Sequence, residues 1–445
     1  MTIELCDPVA CASAGCTPTV CTGAGVPSNA ELFRRSTRVI PGGVNSSIRA
    51  FKSVGGDPYV VARAAGAHVY DVEGREYVDL VQSYGAVILG HAHPAITAAL
   101  QAAAPDGTSY GAPTPREMKL AEAIAARVPS CEQVRFMNSG TEATSTAVRL
   151  ARGATGRDRV VIFHGNFHGA TDALLAAGGS GVATLGLPGT AGVPAGAVAE
   201  TLVVPYNVVP PLDDTVACVI VEPVAANMGV VAPAPGFLEG LRAECDRVGA
   251  VLVFDEVITG FRLGLGGAQA RYGVTPDLTT FGKVIGGGLP IGAVGGRRDL
   301  MEQLTPLGTV FHAGTLAGNP LATAAGLAAL DQLDDGSYEF LERQAARLAS
   351  GLAAACAAAG VPAAFPRIGT LVGMVCGDVP QPHDFASAKR TDEAAFGRFF
   401  HAMLAEGVAM APGAYEAIFV GLAHSDAVLD RVLDAAERAA RAAAV

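Results

Sequence analysis

The sequence predicts an α/β protein built around a mostly parallel β-sheet. Between about residues 94 and 330, short and mainly apolar runs alternate with Ala-rich stretches that are typical of helices. These runs include 134–137, 160–163, 216–221 and 251–254. Strands that are apolar on both faces and separated by helices indicate a parallel sheet covered on both sides. The 445 residues suffice for two or three domains, at roughly 100–200 residues each.

The flanking regions have a different pattern. A helix is predicted over 28–40, with Asn29 as its cap and a stop at 41–43, where Pro is followed by two Gly residues. Strand-like pieces follow at 59–61 and 67–70. Beyond about residue 331 the chain is again Ala-rich and helical, with strands expected near 371–375 and 407–410.

Composition and charge exclude several classes of partner. The net charge is −11 with a pI of about 5.3, which argues against binding to nucleic acid or an anionic membrane. The mean hydropathy is +0.35, but no uninterrupted apolar run reaches the length of a spanning helix, about 18 residues. The first residues lack the basic start of a secretory signal. We therefore expect a cytoplasmic enzyme with a small-molecule substrate and no metal.

The nine cysteines fall into two groups. Four are evenly spaced near the start of the chain, in a stretch that is too poor in large apolar residues to build a core, and their spacing is not that of common zinc sites. We expect residues 1–27 to be a flexible tail. The five others lie in apolar contexts and are expected to be buried reduced thiols. The first group is Cys6, Cys11, Cys16 and Cys21, and the second is Cys131, Cys218, Cys245, Cys356 and Cys376.

Lys283 is the first candidate catalytic residue. It is one of four lysines and lies in a glycine-rich apolar stretch, with no carboxylate within five residues. Such surroundings favour the neutral amine, which suits a lysine that forms a Schiff base. The alternative is a surface lysine whose stem lies along apolar neighbours.

Asp255 is the second candidate because it follows the apolar run 251–254. A carboxylate at the end of a buried strand needs a cation or an N–H donor. The protonated ring nitrogen of a pyridine cofactor would serve, and the ring would then remain an electron acceptor. The alternative is an Asp that caps the next helix.

Two further strand ends could bind a cofactor. Ser139, Gly140 and Thr141 stand where the run 134–137 gives way to an Ala-rich helix, and a helix N-terminus can bind phosphate. An ordinary capped helix explains the same residues. Phe167 follows the run 160–163 and could stack on a cofactor ring or pack in the core. Glu222, followed by Asn227, ends another strand in the same way.

Together these features match what pyridoxal phosphate requires: a phosphate cradle, a stacking face, a carboxylate for the ring nitrogen and a Schiff-base lysine. Over about residues 30–440 the chain also resembles the glutamate-1-semialdehyde 2,1-aminomutase family of class III, fold type I aminotransferases. The matching stretches are IPGGVNS (40–46), NSGTEA (138–143), GSGVATLGLP (179–188) and FGKVIGGG (281–288).

The resemblance implies a role for each matching residue. Lys283 would link to the cofactor and move protons, and Asp255 would pair with its ring nitrogen. The phosphate would be bound by Ser139, Gly140 and Thr141, and by Thr315 of the neighbouring subunit of a homodimer. Asn227 would lie near the cofactor's O3′ and Phe167 against its ring. Arg49, Tyr84 and Glu416 are expected at the substrate site, with Ser180 in a mobile gating loop.

The resemblance also implies a division into domains. A large cofactor-binding domain is expected over 94–330. The segments 28–93 and 331–445, from the two ends of the chain, would form a small α+β domain.

Three stretches depart from the family pattern. The family usually has SWGP where this chain has SYGA (83–86), GCYHGH where it has GNFHGA (165–170), and YQAGTLSGNP where it has FHAGTLAGNP (311–320). The stretch between Tyr206 and Val216 is also several residues shorter. These changes alter the substrate wall and keep the cofactor's partners, which suggests a changed substrate.

Three functions are open from the sequence. The favoured hypothesis is a specialised aminotransferase relative that acts on an amino sugar intermediate of aminoglycoside biosynthesis. The alternative is the aminomutase reaction itself, from glutamate-1-semialdehyde to 5-aminolevulinate, which Arg49 favours because a guanidinium suits a carboxylate. The third is a non-enzymatic interaction protein, which the presence of both Lys283 and Asp255 disfavours. Aminotransfer, aminomutation and epimerisation are not separated by the sequence.

Overall fold

A computed structural model describes residues 27–176 and 190–444. The predicted gating loop around Ser180 and the four N-terminal cysteines lie outside the described residues. Within the described part, no helix is both long and apolar enough to cross a membrane. The five remaining cysteines, Cys131, Cys218, Cys245, Cys356 and Cys376, are free and buried, as predicted.

The centre of the protein is a seven-stranded sheet with the order β4-β10-β9-β8-β7-β5-β6. Only β10 runs against its neighbours, so the sheet is mostly parallel, as predicted. The four apolar runs expected to be strands correspond to β4, β5, β7 and β8. The strands are β4 Gln133–Met137, β5 Arg159–Phe163, β6 Thr201–Val204, β7 Val216–Val221, β8 Val251–Asp255, β9 Leu278–Phe281 and β10 Gly292–Gly296.

Helices cover both faces of this sheet. The α-helices of the described residues are α1 Asn29–Ser36, α2 Pro94–Ala103, α3 Pro115–Ala125, α4 Gly140–Thr155, α5 Ala195–Val198, α6 Phe237–Val248, α7 Gly267–Tyr272, α8 Arg298–Met301, α9 Pro320–Leu330, α10 Asp335–Ala358, α11 Phe385–Ala388, α12 Glu393–Ala405 and α13 Asp426–Ala443. Short 3-10 helices occupy Pro41–Gly43, Ser47–Ala50, Gln82–Gly85, Ala104–Asp106, Asp172–Leu174, Ala226–Met228 and Lys283–Gly286.

The strands bury alternate residues on opposite faces. Ile220 and Val253 pack in the same cluster as apolar residues of α4, whereas Val219 and Leu252 pack with those of α6. Because both faces are covered, the strands can be apolar throughout, which is what made them visible in the sequence. This arrangement leaves the carboxyl ends of the parallel strands as the place where polar side chains can meet.

The two ends of the chain share one smaller sheet, and the C-terminal part forms two more short ladders of its own. β15 from the C-terminal part lies parallel to β3, and β1 and β2 complete that sheet in antiparallel fashion. Short ladders join β11 to β14, and β12 to β13 and β16. The strands are β1 Val61–Ala65, β2 His68–Asp71, β3 Glu76–Asp79, β11 Ala363–Ala364, β12 Arg367–Ile368, β13 Leu371–Val372, β14 Val375–Cys376, β15 Val408–Ala409 and β16 Ile418–Phe419.

The first helix differs from its prediction. It ends at Ser36 rather than residue 40, and its cap is Ser28, whose hydroxyl accepts a hydrogen bond from the Glu31 N–H. Asn29 is buried instead. Its side-chain NH2 donates a hydrogen bond to Asp71, and its side-chain oxygen accepts one from the Val60 N–H. Asn29, which was predicted to cap α1, therefore links this helix to the sheet formed by β1, β2, β3 and β15.

Candidate active site

A cavity of about 740 Å³ opens at the carboxyl ends of the central strands. Parallel α/β sheets bind their ligands at this edge. The cavity brings together nine of the twelve residues that the sequence singled out as site residues. They are Tyr84, Ser139, Gly140, Thr141, Phe167, Asn227, Asp255, Lys283 and Glu416.

Lys283 begins the 3-10 helix that follows β9, and its backbone adopts a left-handed conformation with φ of 47°. A non-glycine residue in this region is strained, and such strain is concentrated at functional sites. Burial lowers the pKa of Lys283 to about 8, although Glu416, Glu222 and Asp255 oppose this and raise it. A neutral amine, able to attack an aldehyde, is therefore abundant near pH 8.

This lowered pKa leads to a prediction for cofactor uptake. The rate at which the cofactor-free protein binds pyridoxal phosphate covalently should rise with pH and level off above about 8. The reason is that only the neutral Lys283 amine attacks the aldehyde. Stopped-flow absorbance at constant ionic strength measures the rate. A rate that still climbs about tenfold from pH 9 to pH 10 would show that Lys283 titrates as an ordinary lysine.

Asp255 is the last residue of β8, is 5% exposed, and faces three donors. Its Oδ1 accepts hydrogen bonds from the Thr280 hydroxyl at 2.9 Å and from the Val257 N–H at 3.1 Å. Its Oδ2 lies 2.7 Å from Nδ1 of His168, which is also buried. These partners fix the carboxylate at the cavity wall.

His168 was not identified as a site residue by the sequence analysis. It stands in the same motif as Phe167, one position further on, and its ring is 1% exposed. The other ring nitrogen, Nε2, is buried and has no hydrogen-bond partner within the described residues. The ring is therefore held through Asp255, and His168 lines the cavity beside it.

Ser139, Gly140 and Thr141 form the start of α4. Ser139 caps the helix by accepting a hydrogen bond from the Glu142 N–H, and the Thr141 hydroxyl accepts one from the Ala170 N–H. A Cβ at Gly140 would lie 3.0 Å from a methyl group of Val257, so a side chain there would crowd this wall. The helix N-terminus thus offers backbone N–H groups and hydroxyls to an anion in the cavity.

Glu222 connects two of the predicted cofactor residues. Its Oε1 accepts hydrogen bonds from the Phe167 N–H at 2.6 Å and from the Asn227 amide at 3.0 Å. Its Oε2 accepts one from the Ala226 N–H at 3.0 Å. Burial raises the pKa of Glu222 to about 7. The sequence marked Glu222 only as a strand end, and the structure shows that it holds Phe167 and Asn227 in place.

Tyr84 and Glu416 also line the cavity, and they come from the N-terminal and C-terminal parts of the chain. Burial raises the pKa of Tyr84; Glu416 raises it further, and the Arg49 charge lowers it. Arg49 is exposed and does not line the cavity, although Ser46, Ser47 and Ile48 before it do.

Thr315 does not line the cavity and lies in the exposed segment 313–316. Leu316 of this segment and the nearby Phe311 are 51% and 67% exposed. Gly314 comes near Asn138, because a Cβ added to Gly314 would lie 3.6 Å from the Asn138 amide nitrogen. In this chain alone, Thr315 therefore does not reach the site.

The cavity suits pyridoxal phosphate. It offers an amine for the aldehyde, a buried carboxylate for the ring nitrogen, a helix N-terminus for the phosphate and a partly exposed Phe167 for the ring face. A side chain at Gly140 would press on the methyl groups of Val257 and so narrow the cradle. In the described residues, no group of three or more His, Cys, Asp or Glu side chains could hold a metal ion.

Comparisons with known proteins agree with this geometry. The family model for aminotransferase class III matches residues 51–439. A glutamate-1-semialdehyde 2,1-aminomutase from Bordetella avium is 54% identical over 419 residues, which cover 92% of this chain and 98% of that protein.

Solved structures show the same fold. An omega-transaminase from Sphaerobacter thermophilus superposes with a TM-score of 0.84 at 32% identity, covering 94% of this chain and 98% of that one. A glutamate-1-semialdehyde-aminomutase from Pseudomonas aeruginosa PAO1 in complex with PMP gives 0.81 at 27% identity, covering 92% and 93%. The chain belongs to the class III aminotransferase family of fold type I, pyridoxal-phosphate-dependent enzymes.

Proposed function

We propose that this enzyme is a glutamate-1-semialdehyde 2,1-aminomutase, which moves an amino group between neighbouring carbons and yields 5-aminolevulinate. The observation that carries the proposal is the meeting of Lys283, Asp255 and the start of α4 on one cavity, in a chain 54% identical to a protein of that name. The sequence alone favoured an amino sugar substrate. The near-full-length similarity supports the aminomutase alternative better.

The residues that line the cavity have separate roles in this reaction. Lys283 holds the cofactor and, once its amine is free and neutral, takes a proton from the amine-bearing carbon of the substrate. Ser139, Gly140 and Thr141 hold the phosphate, and Asp255 keeps the ring nitrogen protonated. When bound, pyridoxal phosphate supplies an electron-accepting ring that stabilises negative charge at that carbon. Phe167 and Asn227, fixed by Glu222, limit the movement of the ring.

The substrate is placed by residues from both ends of the chain. Tyr84 and Glu416 line the cavity with Lys283, and Arg49 lies close enough to act on Tyr84. We propose that the Arg49 guanidinium attracts the carboxylate of glutamate-1-semialdehyde to this wall.

We also propose that the enzyme is a cytoplasmic homodimer. Support for the dimer comes from exposed apolar side chains: Met118 and Leu307, which line two adjoining clefts, are 54% and 73% exposed, and Phe311, next in sequence to His312 of one cleft, is 67% exposed. Thr315 lies on the same surface, where it could reach the phosphate of a partner's site. Sedimentation equilibrium tests this, and a monomer at micromolar concentration would contradict it.

The function is tested by incubating the purified holoenzyme with glutamate-1-semialdehyde. We expect conversion to 5-aminolevulinate without an added amino acceptor, because the aminomutase reaction keeps the amino group within one substrate. Lys283→Ala, prepared in parallel, is the control for uncatalysed rearrangement. Turnover of an amino sugar with a keto acid, and none of glutamate-1-semialdehyde, would favour the amino sugar hypothesis instead.

A further inference from the structure

Arg262 follows β8 by seven residues and is fully buried, at 0% exposure. Its guanidinium bridges two distant backbone carbonyls. Nη2 donates to the Gly85 carbonyl at 2.8 Å, and Nη1 donates to the Val420 carbonyl at 2.8 Å. Arg262 does not itself line the cavity, but both of its acceptors belong to segments that do.

The first of these segments is the turn Gln82–Gly85, which carries Tyr84. Its non-glycine residues Gln82, Ser83 and Tyr84 have φ values of 46°, 50° and 56°, all in the left-handed region. Each such residue is strained, so the turn persists only when surrounding contacts hold it. The Gln82 amide, which donates to the Asp79 carbonyl, holds one end, and Arg262 holds the other at Gly85.

The second segment runs from Glu416 to Val420. Glu416 and Phe419 line the cavity, and the carbonyl of Val420 is the second acceptor of Arg262. The guanidinium carbon lies 5.5 Å from the centre of the Phe419 ring. The two segments touch directly, since a Cβ at Gly85 would lie 2.7 Å from that ring.

The charge of Arg262 also reaches Lys283. The hydrogen-bond acceptors of its guanidinium are neutral carbonyls, and within the described residues its Nε has no partner. Burial accounts for most of the lowering of the Lys283 pKa, and the positive charge of Arg262 adds to it. The carboxylates Glu416, Glu222 and Asp255 act in the opposite direction.

We propose that Arg262 is a positioning residue, which locks the strained turn carrying Tyr84 to the segment carrying Glu416 and Phe419, so that the substrate wall has one geometry relative to Lys283. The inference rests on the proposed function for its substrate and on the contacts of Arg262 for its mechanism. The fork of a guanidinium is needed because two carbonyls in different directions must be bound at once.

Two variants separate the effect of the forked guanidinium geometry from the effect of its positive charge. Arg262→Lys keeps the charge and Arg262→Gln removes it, while each retains N–H donors without the fork. We expect both variants to raise KM for glutamate-1-semialdehyde by at least about tenfold, with a smaller fall in kcat. Only Arg262→Gln should move the pH midpoint of the holoenzyme's visible absorbance band upward, because it removes a positive charge that lowers the pKa of Lys283.

Arg157→Lys is the matched control. Arg157 also binds two backbone carbonyls, those of Val216 and Val248, at 3.0 and 2.9 Å; it does so through Nη1 alone, is partly buried and does not line the cavity. Its substitution should leave KM and the pH midpoint unchanged. It reports what the loss of a bridging guanidinium does to the fold alone.

Hydrogen–deuterium exchange provides a readout that needs no turnover. Peptides covering 80–87 and 416–422 should exchange faster in both Arg262 variants and at the wild-type rate in Arg157→Lys. Unchanged exchange and KM in a folded Arg262→Lys variant would overturn the proposal. If wild-type enzyme does not convert glutamate-1-semialdehyde, the proposed function fails, while exchange and the pH midpoint still decide the role of Arg262.

Discussion

Lys283→Ala should abolish covalent attachment of pyridoxal phosphate and lower turnover by at least about 10³-fold. The cavity wall offers Lys283 as the amine with a pKa of about 8, next to Asp255 and Glu416. Borohydride treatment of the wild-type holoenzyme, followed by peptide mass spectrometry, should find the cofactor fixed to the peptide containing Lys283. The variant should lose this label and the visible band of the lysine-bound cofactor.

The small number of lysines makes this experiment unusually clear. Lys52, Lys119 and Lys389 are the other three, and Lys119 is exposed on α3. Lys119→Ala is therefore the matched control, which should keep the label, the band and full activity. A label on any of these three lysines in the Lys283→Ala holoenzyme, with activity retained, would assign the attachment elsewhere.

The sequence predicted those parts of the site that depend on short-range patterns. β8 was visible as an apolar run, and the cost of burying an unpaired carboxylate marked Asp255 at its end. Lys283 was visible because its neighbours are small and apolar. Strand β10 was not predicted, since Gly292–Gly296 contains three glycines and its antiparallel direction is set by pairing with both β4 and β9.

Residues that act through distant contacts escaped the prediction. His168 lies 87 positions before Asp255, and no local pattern ties one to the other. Arg262 binds carbonyls 177 and 158 positions away, and an arginine is expected at the surface unless such acceptors are known. Arg49, which the resemblance assigns to the substrate site, is exposed and does not line the cavity, but its charge acts on Tyr84, so its role at the substrate stays a prediction.

These examples share one physical cause. A strand or a helix start is encoded by neighbours in sequence, whereas a buried polar side chain is stabilised by whichever partners the fold brings to it. Glu222 illustrates this, because its carboxylate receives N–H donors from Phe167, 55 positions before it, and from Ala226 and Asn227 just after it. Sequence patterns could therefore identify which strand ends carry polar groups, but not which of those groups bind each other.

Asp255→Asn should lower turnover by at least about 10²-fold while leaving the protein folded. The substitution keeps the size of the side chain and removes the negative charge that we propose keeps the ring nitrogen protonated. The Thr280 hydroxyl and His168 lose a charged acceptor at the same time. Turnover, the affinity for pyridoxal phosphate and the melting temperature, measured together, separate the chemical effect from the structural one.

Asp277→Asn is the appropriate comparison because Asp277 is also a buried carboxylate of this sheet, at 7% exposure. It accepts hydrogen bonds from Arg242, Arg297 and the Leu252 N–H, just before β9 begins. Its substitution should lower the melting temperature at least as much as Asp255→Asn, since it removes the negative charge between two guanidinium groups and turns an amide NH2 toward one set of their N–H donors. Cofactor affinity and turnover per folded molecule should stay near wild type. If the two variants lost turnover equally, Asp255 would be acting through the stability of the sheet rather than through the cofactor.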